Sequence, residues 1–208
     1  MKIILASPEA SLLQAWKRYC SRFPEVSFHE GSVFDVECDA LVSPANSFGF
    51  MDGGIDAQYT EYFGSQVQDR LRLSILQKHH GELLVGSAEF VATDHPVHPI
   101  LIAAPTMRVP MALGETSINP YLATRAVILA IKHRTTTSDD PATPKITSVC
   151  FPGMGTGVGR IPHELCARQM AGAFGQTIRT KYRLPSSWSE ASEEHQLLYT
   201  DKPKRLQF

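Results

Sequence analysis

Apolar positions along the chain follow two rhythms, short unbroken runs and recurrences every third or fourth residue, and the two alternate from the first residues onward. "KIILAS" (Lys2 to Ser7) predicts a first strand, and Leu12 to Phe23 carries the helical rhythm. From Val26, "EVSFHEGSVF" alternates apolar and polar in strand fashion, and "DALVSPAN" runs through Ala40, Leu41 and Val42 to a proline exit, as a buried central strand does. After Asp56, residues Tyr59, Phe63, Val67, Leu71 and Ile75 recur every four positions, which predicts one long helix ending near "HHGE". "SAEFVAT" (Ser87 to Thr93) and "ILIAAPT" (Ile100 to Thr106) predict two further strands ahead of a loop carrying "MRVP". Asn119 and Pro120 then mark a helix start, since asparagine caps free amides and proline tolerates the first turn, with Leu122, Ala126, Val127 and Ala130 on its apolar face. "TTTSDDPATP" (Thr135 to Pro144) reads as a polar loop and "KITSVCF" as the last strand. Beyond it Pro162 opens a helix whose apolar face holds Cys166, Met170, Phe174 and Ile178. Strands alternating with helices in this way specify an α/β layered fold.

Composition narrows the class without changing that picture. At 208 residues and 43% hydrophobic content the chain is long enough to bury a core as one domain. Lysine plus arginine number 20 against 21 aspartates and glutamates, so no net field draws it to nucleic acid or an anionic membrane. No apolar run approaches the roughly 20 residues that span a bilayer, and "MKIILAS" is too short and too weakly basic for a secretory signal. The expected setting is cytoplasmic. Cys20, Cys38, Cys150 and Cys166 are widely spaced without a CxxC pair, which argues against zinc or a disulfide framework and for buried free thiols. "HPVHP" (His95 to Pro99) reads as a surface connection before it reads as a metal clip.

Two glycine-bearing stretches leave the ends of predicted strands, where open α/β sheets place ligands. The second, "PGMGTGVGRIP", sets Gly153, Gly155, Gly157 and Gly159 at every second position between a strand and a helix. Glycines let a backbone approach a ligand closely, and amides at a loop and helix start attract negative charge, so a phosphate or diphosphate is the natural guest. The spacing is neither the dinucleotide fingerprint GxGxxG, nor a P-loop, nor a hydrolase elbow. The first stretch, "SPANSFGFMDGGID", follows an apolar strand with Asn46, Asp52 and Asp56 among small residues. A base-rate reading gives Asp56 the role of a first-turn residue answering the helix dipole, and Asp52 that of a turn residue.

Together "DALVSPANSFGFMDGGID" and "PGMGTGVG" resemble the two signature loops of the macro domain family, of the ADP-ribose 1″-phosphate processing type, in the same order and over about Val26 to Tyr182. The resemblance implies a three-layer α/β/α sandwich around a central mixed, largely parallel sheet, spanning residues 1–184 and followed by an extension of residues 185–208. It also implies ADP-ribose or a derivative as ligand, ADP-ribosylated protein as a further partner, and no cofactor or metal. Asn46 stands where the family asparagine contacts the distal ribose, with Ala45 before it and Phe48 after it. Gly53, Gly54 and Ile55 match the loop closing round that ribose, and Asp56 matches an aspartate kept at the helix start by hydrolytic members of the MacroD type. Gly153, Met154, Gly155, Thr156, Gly157 and Gly159 would wrap the diphosphate, with Val158 bridging toward the first loop.

Three positions depart from the family pattern. Ser32, beside Val33, stands where the family often keeps an aspartate that reads the adenine amino group; "NAAN" is "SPAN"; and Asp52 replaces the first glycine of a triplet, which adds a carboxylate beside the ribose. Cleaving a substituent from the anomeric carbon requires positioned water, and a carboxylate such as Asp56 or Asp52 that orients or deprotonates it contributes about 10²–10⁴-fold. The expectation is therefore a hydrolase of mono-ADP-ribosyl linkages or of ADP-ribose 1″-phosphate acting without a metal. The alternatives are a non-catalytic ADP-ribose reader and a binder of another nucleotide, the latter suggested by Ser32. Arg108 in "MRVP" reads as a solvated or structural arginine rather than a phosphate ligand. In the C-terminal segment Trp188, Leu197, Leu198 and Tyr199 are the residues able to pin it to the body or to a partner.

Overall fold

The computed structural model describes residues 1–137, 145–178 and 183–204. Six strands, β1 (Lys2–Ser7), β2 (Val26–Glu30), β3 (Ala40–Ser43), β4 (Glu89–Ala92), β5 (Ile100–Ala103) and β6 (Ser148–Phe151), form one sheet in the order β2-β1-β6-β3-β5-β4. Every neighbouring pair is parallel except β4 with β5, so the sheet is mixed and largely parallel. Among the described residues the α-helices are α1 (Ala10–Cys20), α2 (Gly54–Phe63), α3 (Gln66–Lys78), α4 (Asn119–Thr137), α5 (His163–Thr177) and α6 (Trp188–Gln196).

The period of two along each strand sorts its residues to opposite faces. Ile3, Leu5, Val42, Val149 and Phe151 face one apolar core, which is filled from α1, α4 and α5 by residues such as Trp16, Val127 and Phe174. Ile4, Leu41, Leu101 and Cys150 face the other, filled by Tyr59 and Phe63 of α2 and Val67, Leu71 and Ile75 of α3. A sheet covered on both faces is the arrangement that near-continuous apolar strands require, and it gives the three layers expected. All four cysteines are buried and free.

Three expectations change in the structure. The single long helix after Asp56 is two, because Gly64 takes a φ of +93°, a conformation open to glycine, and ends α2 before α3 starts at Gln66. The apolar recurrence runs across the break because both helices turn the same side to the same core. "HPVHP" is only partly a surface connection: His98 is fully buried, its Nε2 2.7 Å from the Val36 carbonyl and its Nδ1 3.1 Å from the Tyr62 hydroxyl. The imidazole ties α2 to the segment entering β3, and burial holds its pKa below the ordinary histidine value. The polar loop begins later than expected, since α4 continues through Thr137, and residues 138–144 lie outside those described.

The C-terminal segment lies against α5. Arg168 pairs with Asp201 at 2.6 Å, Gln196 exchanges two hydrogen bonds with the Lys204 backbone, and Leu198 sits over Gly172. Trp188, 90% exposed, takes no part in that packing.

Candidate functional site

Strand order dictates where a ligand sits. The carboxyl ends of β2, β1, β6, β3 and β5 lie side by side along one sheet edge, and the loops leaving them enclose a cavity of about 560 Å³. That is the size range of small-molecule and nucleotide sites. The chain steps outward from β1 to β2 and then crosses back past β1 and β6 to β3, so the cavity spans the place where the winding changes direction. Its middle is the loop after β6, one side is the loop after β3, and the other is made by the loops after β1 and β2.

The loop after β3 is held open as a lip. Asn46 Oδ1 accepts from the Phe48 and Phe50 amides at 3.1 and 3.3 Å, and its Nδ2 donates to the Phe50 carbonyl at 2.7 Å. This leaves one Nδ2 hydrogen for a ligand. Asn46 is thus a buried brace of the lip as well as a lining residue. Gln68 accepts from the Met51 amide and Thr60 donates to the Met51 carbonyl, which ties the lip to α2 and α3. Asp52, Gly53 and Gly54 are exposed on the cavity side, and a Cβ built on either glycine would meet open space.

Asp56, on the first turn of α2, lines the cavity yet is only 7% exposed. The Ser43 hydroxyl at the end of β3 donates to its Oδ1 at 2.5 Å. One turn further along, the Tyr59 hydroxyl donates to the Val42 carbonyl at 2.9 Å and fixes α2 against β3. Burial pushes the Asp56 carboxyl up to about 6, the Ser43 hydrogen bond pulls against that, and the charge of Asp52 adds to it. A carboxyl poised near neutrality beside an exposed carboxylate is suited to moving a proton.

The loop after β6 presents backbone. The amides of Thr156, Gly157 and Val158 meet no acceptor among the described residues, and a Cβ on Gly157 would project into open space. Gly159 packs against the Gly155 carbonyl so closely that a Cβ would come within 2.5 Å of it. The glycines therefore both shape the turn and bare its amides for an anion. Phe50, 46% exposed, and Val158, 50% exposed, stand at the mouth. Met154, expected among the ligand contacts, is instead fully buried in the core. Phe48 likewise does not line the cavity and packs under the Arg108 guanidinium at 5.0 Å. Arg108 is engaged by Glu82 through two hydrogen bonds of 2.7 and 3.1 Å.

On the remaining side, Ser32 caps a short 3-10 turn, Val33–Asp35. Its hydroxyl accepts from the Phe34 amide at 3.3 Å while Asp35 accepts from the Ser32 amide at 3.0 Å. Ser32, Val33, Ser7, Pro8, Glu9 and Leu12 line this wall. The sequence had pointed to Ser32 and Val33 but not to Ser7, Glu9 or Ser43. Ser7 and Ser43 are polar residues ending apolar strand runs and Glu9 sits at a helix start, signals too common to single them out before the strand order is known.

A family model for the macro domain matches residues 42–170, more than half of the chain. An uncharacterized protein of Aquifex aeolicus is 32% identical over 147 residues, which cover 70% of this chain and 78% of that protein. Among solved structures, the macrodomain of Mycobacterium tuberculosis DarG is 22% identical with a TM-score of 0.56, over 70% of this chain and 87% of that one. Thermosipho africanus DarTG, solved in complex with ADP-ribose, is 17% identical with a TM-score of 0.56, over 70% of this chain and 37% of that one. The structural likenesses fix the fold, and the matched model spans the lip, α2 and the glycine loop alike. By fold and by sequence, the chain belongs to the macro domain family.

Proposed function

We propose that the cavity binds ADP-ribose and that the protein hydrolyses an ADP-ribosyl derivative at the anomeric carbon of the distal ribose. The family and the ADP-ribose-bound structure similar to this chain support the ligand. The observation that carries the chemistry is Asp56, a buried carboxyl held near pH 6 on the same cavity as the bare amides of the glycine loop.

The diphosphate occupies the loop Gly153–Gly159, and the distal ribose falls at the lip, where Asn46 offers its free Nδ2 hydrogen to a hydroxyl. Asp56, in its ionised form, takes a proton from a water that attacks the anomeric carbon. The bond to the departing group breaks as the new carbon–oxygen bond forms, and the proton goes on to that group. Asp52 places negative charge where positive charge develops on the ring. The substrate is a mono-ADP-ribosylated protein or ADP-ribose 1″-phosphate, since both put the scissile bond at this lip.

A binding-only reading has its own support, because Asn46 spends three hydrogen bonds on the lip and Asp56 one on Ser43. Turnover of a mono-ADP-ribosylated substrate by wild type and Asp56→Asn, measured with ADP-ribose affinity on the same samples, separates the two. Catalysis predicts a loss of about 10²–10⁴-fold in turnover with affinity nearly kept. No turnover by the wild type at tight ADP-ribose binding would identify a reader.

A further inference from the structure

We infer that Glu9 is the specificity-determining residue for the base, held in place by His163, and that it selects a nucleobase with an exocyclic amine. The inference rests on the reading of the cavity as an ADP-ribose site. With the diphosphate on the β6 loop and the distal ribose on the β3 side, strand order leaves the β1 and β2 side for the base. That wall begins about one strand spacing, 4.8 Å, from the glycine loop and extends one spacing further. Leu12 and Val33 give it apolar surface, which suits the faces of a flat ring.

The polar groups on this wall are mostly spent within the protein. Ser32 closes its own turn, with its hydroxyl on the Phe34 amide and its amide on Asp35. The Ser7 hydroxyl accepts the Glu9 amide at 3.0 Å. Glu9 is different. It occupies the N-cap position of α1, yet its carboxylate makes no capping hydrogen bond and is directed to another helix. Its Oε2 lies 3.3 Å from Nε2 of His163, the first residue of α5, and His163 Nδ1 lies 2.9 Å from the Ser11 hydroxyl. With the imidazole protonated, Ser11 accepts from Nδ1 and the ring's positive charge lies beside the Glu9 carboxylate. The pair with His163 thus steadies Oε2, and Oε1 meets no donor among the described residues.

The Glu9 side chain is 60% exposed and, among the described residues lining the cavity, is the carboxylate on this wall, Asp52 and Asp56 being on the lip. A carboxylate only accepts hydrogen bonds, so it favours an amino group and disfavours a carbonyl oxygen at the same ring position. Adenine therefore binds and hypoxanthine is refused. His163 acts as a positioning residue, because it touches Glu9 and not the base.

The test is calorimetric titration of the full chain with ADP-ribose and with inosine diphosphate ribose, which carries a carbonyl in place of the amine. Wild type is expected to prefer ADP-ribose by about tenfold or more, the scale of one hydrogen bond to a charged group. Glu9→Gln, which can donate to a carbonyl, should narrow that ratio by about tenfold at unchanged melting temperature. His163→Ala should narrow it by less, a change of ratio that a merely structural role would not produce. A wild type that binds both ligands equally, or a ratio unmoved in Glu9→Gln, overturns the assignment of Glu9 while leaving the ADP-ribose site standing. Failure of wild type to bind either ligand overturns that site and the Glu9 assignment with it.

Discussion

Asp56 is where local electrostatics and function meet. Its folded-state pKa of about 6 exceeds the ordinary carboxyl value of about 4. The folded state therefore favours the protonated form, and this contribution to stability is fully present below pH 4 and is lost as pH rises through 6. Above that, an ionised carboxylate is kept among buried groups at a cost of no more than about 3 kcal/mol. Asp56→Asn keeps an acceptor for Ser43 without the charge. It should be more stable than wild type at pH 8 by up to about that amount, with the difference vanishing near pH 4. Urea denaturation at the two pH values checks this, and a difference independent of pH would contradict the buried-charge account. Turnover should show the opposite trend, rising through about pH 6 as Asp56 ionises. The same substitution then stabilises the fold and removes activity, the trade expected where a charge is buried for use.

The break between α2 and α3 decides how Asp56 is presented. If the helix ran on through Gly64, the lip tied to Gln68 and the helix start at Gly54 could not both be held where they are. Gly64→Ala would force a side chain into a φ of +93° and against Gln66, and should cost about 1–3 kcal/mol of stability. Thermal melting measures this, and an unchanged melting temperature would show that the break is not set by Gly64. The sequence disclosed the alternation of strands and helices because apolar periodicity is a local property. It did not disclose this break, because Tyr59 to Ile75 keep one rhythm across it. The reversal of β4 was legible, because the short link from Ala92 to Ile100 cannot hold the crossover that a parallel pair needs. The candidate site divides the same way. Asn46, Asp56 and the glycine loop announce themselves by unusual composition at strand ends. Ser43, Ser7 and Glu9 become visible only when strand order sets them beside that loop. Met154 looked like a loop contact because it sits between glycines, but an apolar side chain there has a core below it to enter.

At the scale of the whole molecule, loops from distant parts of the chain share one edge of one sheet because the strands between them are parallel and their crossovers lie on the two faces. With a formal net charge of −1, the protein offers an anionic ligand no long-range attraction, so affinity must come from the bare amides of the glycine loop at close range. This makes Gly157 the most discriminating position. Its Cβ direction is open, its φ is one any residue can adopt, and a glutamate there would fill the anion site without disturbing the core. The direct test is therefore calorimetric titration of wild type and Gly157→Glu with ADP-ribose, with melting curves on both. Micromolar binding by wild type, lost in Gly157→Glu at an unchanged melting temperature, is the result this account predicts. Absence of binding by wild type, or binding that survives the glutamate, would contradict it.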